Sequence, residues 1–105
     1  MSPFRIAFDS MAWEALRDDV RQKVHCADGR QVRLVEFDTT DGFEQWCEVG
    51  HVGYVLEGGL TISFDGTPVR FSRGDGLLIP DGVESRHRAV SIDRGTLLLM
   101  IEDVE

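Results

Sequence analysis

Apolar and polar residues alternate along this chain in short runs, and turn-forming residues separate nearly all of the runs. Strand-like stretches occur at QKVHC (22–26), QVRLVEF (31–37), EQWCEV (44–49), GYVLEG (53–58), LTISF (60–64), PVRFS (68–72), LLIP (77–80), HRAVSI (87–92) and TLLLMIE (96–102). Between them stand ADGR, DTTDG, EGG, FDGT, RGDG, PDG and DRG, all rich in the residues that reverse a chain. HCADGRQV and SFDGTPV each place Asp-Gly between apolar alternations, and glycine supplies the positive φ that a tight hairpin turn needs. No helical pattern of useful length intervenes, so the spacing predicts a sandwich or barrel and not a strand-helix-strand fold. One segment departs from the pattern. SMAWEALRDDV (10–20), with Ser10 as a capping residue and Met11, Ala15 and Val20 loosely periodic, reads as a short helix or an extended arm. The expected division is therefore an arm or helix over 1–20 and a β-barrel domain over 21–105, with no internal repeat.

Composition narrows the function classes. A chain of 105 residues, 42% of them hydrophobic, is enough for one domain with one core. The formal net charge of −8 and the scattering of eleven basic residues argue against a nucleic-acid surface, which needs clustered Lys and Arg. The N-terminal stretch lacks the pattern of a signal peptide and no apolar run approaches membrane length, so a soluble, cytoplasmic protein without membrane contact is expected. Cys26 and Cys47 lack C-x-x-C spacing and read as free thiols.

The chemistry concentrates in QWCEVGHVGYVLEGGL (45–60) and in ESRHRA (84–89). On a strand, Gln45, Cys47 and Val49 share one face, and Trp46 and Glu48 share the other. The stretches YVLEGGLTISFDG and FSRGDGLLIPDGVESRH resemble the small single-domain cupins over roughly residues 30 to 102. Gly74, Pro80 and Gly82 fall at the spacing of the family's second motif, with Asp75 in its Gly-Asp turn, and Gly58 anchors the first. The resemblance implies an all-β, double-stranded β-helix of the jelly-roll or cupin-barrel kind. Counting from Gly58 sets His51 at the family's glutamate position and Gln45 and Cys47 at its two histidine positions. Counting from Gly82 sets Ser85 at the second-motif histidine, His87 two residues further, and Ala89 at the asparagine, while Thr39 stands where the first motif opens with glycine. None of the four usual metal-ligand positions keeps its usual residue.

By the same resemblance Gln45, Cys47, His51, Gly53 and Val55 point into the barrel, and Ser85 or His87 meets them from an opposite strand. Thiolate and neutral imidazole are good ligands for zinc, iron, nickel or copper. Cys47, His51 and His87 thus form a candidate metal set, with Gln45 or water in a fourth position, and with Glu48 in place of Gln45 if Gly50 marks a bulge. The plain alternative is that Cys47 is a small buried hydrophobe and the histidines are hydrogen-bonded pocket residues. His25 sits beside Cys26 on a strand, where neighbours face apart, and reads as structural. Arg86 and Arg88 read as a solvated rim, or as holders of an anionic ligand at the mouth. The serines lack a nucleophile-elbow context and the glycines lack phosphate-loop spacing.

Trp46, Tyr54, Phe64, Phe71, Leu77 and Ile79, with Leu60 and Ile62, are expected to supply core and pocket lining. TLLLMIE is apolar on both faces, which predicts cover on its outer face by a second subunit, hence a homodimer, or by the arm through Met11, Trp13 and Leu16. Three functions remain open: a metal-binding barrel with small-molecule activity such as oxygenation or isomerisation, a metal-free binding or sensor module using the same pocket, and a domain that acts through a partner surface.

Overall fold

The structure is a computed structural model, and it describes residues 4–104. Among the described residues nine strands account for more than half: β1 (Glu14–Arg17), β2 (Val20–Ala27), β3 (Arg30–Phe37), β4 (His51–Glu57), β5 (Gly59–Phe64), β6 (Thr67–Ser72), β7 (Gly76–Ile79), β8 (His87–Ile92) and β9 (Thr96–Asp103). They form a six-stranded antiparallel sheet in the order β1-β2-β3-β9-β4-β7, facing a three-stranded sheet in the order β6-β5-β8. This is the predicted all-β barrel. No helix among the described residues is long and apolar enough to cross a membrane.

Both Asp-Gly hairpins form as the sequence demands. Asp28 and Gly29 take φ of 54° and 70°, and Asp65 and Gly66 take 51° and 98°. These left-handed pairs close two-residue loops between the paired residues Ala27 and Arg30, and Phe64 and Thr67. Alternation then sorts the side chains. Val35 and Phe37 on β3, Leu98 and Met100 on β9, Val55 on β4 and Leu77 and Ile79 on β7 turn inward to meet Leu60 and Ile62 of β5 and Ile92 of β8.

Four expectations are narrowed or corrected. Residues 10–20 take the extended of their two expected forms and not the helix; a single 3₁₀ turn at Phe8–Ser10 leads into β1, which pairs with β2. The loose periodicity of Met11, Ala15 and Val20 was overruled by strand pairing, a tertiary gain that the isolated segment does not display. Second, EQWCEV is not a regular strand. Residues 38–50 run beside β8 as a loop touching it through isolated bridges at Asp41 with Ser91 and Cys47 with His87, with the Phe43 N–H donating to the Ala89 carbonyl and the Ile92 N–H to the Thr40 carbonyl. Other backbone groups go elsewhere: the Asp41 N–H to Thr39 Oγ1, the Gly50 N–H to Asp81, and the Glu48 carbonyl to the Gly82 N–H. Third, Tyr54 lies on the outer face and is 46% exposed, because β4 turns His51, Gly53 and Val55 inward. Fourth, within the single chain the outer face of β9 is not covered: Leu97 and Leu99 are half-buried and Ile101 is exposed. The arm reaches β2 instead, where Trp13 lies under Arg21 and Lys23, and Lys23 donates to the Phe8 carbonyl. Leu16 is exposed.

The turns that join the two sheets meet at Thr96, which is fully buried. Its hydroxyl accepts the Gly59 N–H at 3.0 Å and shares its proton between the carbonyls of Gly59 and Asp93, at 2.8 and 2.6 Å. Gly58 reverses the chain there at φ 72°, and a Cβ on it would lie 2.5 Å from the same hydroxyl. Thr96→Val keeps the shape and strands these groups, so urea denaturation should show a loss of about 1–3 kcal/mol. An unchanged midpoint would remove this knot from the account of stability.

Candidate metal centre

Three elements deliver the candidate ligands. The loop 38–50 carries Cys47, β4 opens with His51, and β8 opens with His87. Two backbone hydrogen bonds fix the loop against β8: Cys47 N–H to the His87 carbonyl at 2.7 Å, and His87 N–H to the Cys47 carbonyl at 2.9 Å. Gly42 permits the close approach, since a Cβ there would lie 2.2 Å from the Ala89 carbonyl oxygen. One ligand atom each from Cys47, His51 and His87 then lie within 4.8 Å of one another. Cys47 Sγ is 3.8 Å from His51 Nε2, and the two imidazole rings stand 5.0 Å apart at 80°.

Hydrogen bonding on the far side of each ring decides which nitrogen faces the cluster. His51 Nδ1 lies 2.5 Å from Glu102 Oε2 in an ion-pair contact. An ionised carboxylate only accepts, so the ring presents Nδ1 to Glu102 and directs Nε2 toward Cys47. His87 Nδ1 lies 3.0 Å from the Ser85 carbonyl oxygen, again an acceptor only. Its Nε2 is therefore the bare nitrogen, and it is buried without a hydrogen-bond partner. Burial lowers the His87 pKa, partly offset by the Ser85 carbonyl, and the nearby His51 lowers it further, which favours the neutral ring. Metal-ligating histidines are commonly held in this way, with the second nitrogen donating to a carboxylate or a backbone carbonyl.

Glu102 is itself held on three sides. Arg33 grips it with two hydrogen bonds of 2.8 Å, from Nε to one oxygen and from a terminal nitrogen to the other, and Gln31 donates at 2.7 Å. Burial alone would raise this carboxyl. Hydrogen bonds from His51, Arg33 and Gln31 and the Arg33 charge outweigh it and bring the pKa down to about 2.

The other expected site residues fall less centrally. Gln45 is exposed but lines the adjoining cavity. Glu48 is exposed and absent from that lining, and its backbone carbonyl is what the structure uses. Ser85 takes part through its carbonyl, orienting His87. Arg86 pairs with Asp65, and both Arg86 and Arg88 lie over the Trp46 ring, 4.9 and 4.7 Å from its centre. His25 is exposed on β2, away from the cluster. Glu102, Arg33 and Gln31 were not anticipated. Strand parity held the signal: Glu102 follows Leu98 and Met100 at even spacing, and Gln31 and Arg33 precede Val35 and Phe37.

The donor set fits a metal ion. A tetrahedral zinc-type site sets thiolate and imidazole donors about 3.3–3.6 Å apart. The Cys47 to His51 distance already approaches that range, and the widest separation in the cluster closes with a shift of about 1 Å or a little more. Three protein ligands would leave a position open toward the cavity of about 740 Å³ that Cys47, His51 and His87 help to line.

Comparison with known proteins supports the architecture. No protein-family model and no curated protein matches the chain. Among solved structures, an RmlC-like cupin from Shewanella frigidimarina superposes with a TM-score of 0.77 at 16% identity, covering 100% of this chain and 93% of that one. KdgF from Halomonas sp. gives 0.77 at 20% identity, covering 92% and 91%. The polyketide cyclase RemF from Streptomyces resistomycificus gives 0.78 at 19% identity, covering 96% and 79%. The fold is that of the cupin barrels. At such identities the likeness carries the fold alone.

The Glu102 carboxyl sits below its ordinary pKa, so its contribution to stability is complete above about pH 4.5 and is lost as the pH falls toward about 2. Acid unfolding of the metal-free protein should therefore steepen in that window. Glu102→Gln should flatten this part of the curve, and an identical acid profile in the variant would refute the assignment.

Proposed function

We propose that the protein is a metal-binding barrel that takes a small molecule into the cavity beside Cys47, His51 and His87. The observation that carries this reading is the buried, unpartnered His87 Nε2, turned by Ser85 toward the same point that Cys47 Sγ and His51 Nε2 approach. A buried bare nitrogen without a partner is costly, and a metal ion would satisfy it together with the other two donors. The thiolate and two imidazoles suit zinc, iron, nickel or copper. A bound ion of this kind supplies Lewis acidity, or redox capacity if it is iron or copper, at a position open to a ligand. Gln45 is placed to meet a ligand from the cavity wall. Small-molecule chemistry such as isomerisation or oxygenation is the activity class this arrangement suits.

A second reading has one observation behind it. Cys47 Sγ also lies 3.8 Å from the Val49 carbonyl, so the thiol has partners without an ion. In that reading the barrel is a metal-free binding or sensor module, and His51 and His87 hydrogen-bond its ligand. Elemental analysis of untagged protein separates the two. The metal reading predicts close to one transition metal per chain, lost in Cys47→Ala/His51→Ala, with a thiolate-to-metal absorption in the cobalt form that disappears in Cys47→Ser. Absence of metal after reconstitution with each of the four ions would overturn it.

We also propose a homodimer through the outer face of the six-stranded sheet. Leu78, Val52 and Ile101 lie side by side in register across β7, β4 and β9, with Leu78 82% exposed and Tyr54 beside them. A contiguous apolar row of this kind is characteristic of contact surfaces. Sedimentation should show a dimer that Leu78→Glu converts to monomer; a wild-type monomer at high concentration would contradict the proposal.

A further inference from the structure

The cavity's walls say what kind of molecule it takes. His51 and Glu102 stand at the level of Gln31 on β3, whereas Phe37 pairs with Thr96 and Val20 at the other end of the same strand. The cavity touches both His51 and Val20. Along β3 its lining runs from Arg33 to Phe37, about 14 Å of strand. Its volume of about 740 Å³ along that length makes an elongated slot. Beyond the Cys47, His51 and His87 end, the inner sheet presents Val35, Phe37, Leu98 and Met100 to it. Phe43 covers it from the loop, edge-on to Phe37 at 6.3 Å.

The charges in the walls are largely committed to the protein. Arg33 is held by Glu102. Arg17 bonds Asp19 and the carbonyls of Asp41 and Gly42, and its guanidinium lies 4.3 Å from the centre of the Phe43 ring. Arg88 lies over Trp46 and donates to the Glu44 carbonyl. A sugar, with hydroxyls around its whole rim, would leave most of them unpaired against these walls, at a cost for each. A flat apolar body with one polar end loses nothing there.

We propose that the slot binds a neutral aromatic compound of one or two rings bearing a single hydroxyl or keto oxygen. The oxygen lies at the Cys47, His51 and His87 end and the rings run toward Phe37 and Phe43. The placement of the oxygen rests on the metal reading; the apolar character of the body does not.

Fluorescence titration with 2-naphthol tests this, with naphthalene-2-sulfonate and D-glucose as controls, on metal-loaded wild type, metal-free wild type and Cys47→Ala/His51→Ala. The expected result is saturable naphthol binding, weakened about tenfold or more by Phe43→Ala and by Leu16→Glu. Both positions line the cavity from its partly exposed side, and metal content should be unchanged in both variants. Naphthol binding that is equal with and without metal would support the apolar slot while removing the metal from ligand recognition. No naphthol binding by folded wild type, or glucose binding of equal strength, would overturn the proposal. Tighter binding of the sulfonate would overturn it as well, making Arg88 an anion anchor.

Discussion

A buried carboxylate, Glu102, ties the candidate site to the sheet that supports it. It is a hydrogen-bonded charge on the inner face of β9, gripped by Arg33 and Gln31 of β3 on one side and joined to His51 of β4 on the other. Because β9 is the strand between β3 and β4, this one side chain joins three neighbouring strands. Leaving such a charge without its partners would cost several kcal/mol, so its surroundings are strongly constrained. The same contacts orient the His51 ring and thereby the direction in which Nε2 points. Stability and site geometry are in this sense the same interaction.

The second constraint is the loop 38–50. It lies where a further strand would stand beside β8, yet it touches β8 only at separated points, and it is also held through Gly42, Cys47 and the turn at Asp81 and Gly82. A regular strand would repeat its hydrogen bonds and alternate its side chains strictly. The loop instead aims Cys47 at His51, leaves Glu48 and Val49 exposed, and lets Phe43 and Gln45 line the cavity. The site is therefore assembled between rigid strands that carry imidazoles and an irregular segment that carries the thiol.

The fold was legible because its punctuation is local. Asp28-Gly29 and Asp65-Gly66 dictate hairpins through backbone sterics alone, and alternation within QVRLVEF and LTISF assigns the faces. The grouping of Cys47, His51 and His87 followed from strand parity together with a family likeness. What escaped depended on contacts distant in sequence. The role of Glu102 becomes visible only when β9 is set between β3 and β4. Ser85 matters through a carbonyl that its side chain does not reveal. Residues 44–49 misled for the opposite reason: their local pattern suits a regular strand, but pairing partners and glycine contacts elsewhere decide their conformation.

Whether thiolate and two imidazoles converge on one ion is decided by X-ray absorption on the metal-reconstituted protein. One sulfur at about 2.3 Å and two imidazole nitrogens at about 2.0–2.1 Å are expected, with the sulfur absent in Cys47→Ser. A shell of oxygen and nitrogen without sulfur in the wild type would rule the convergence out.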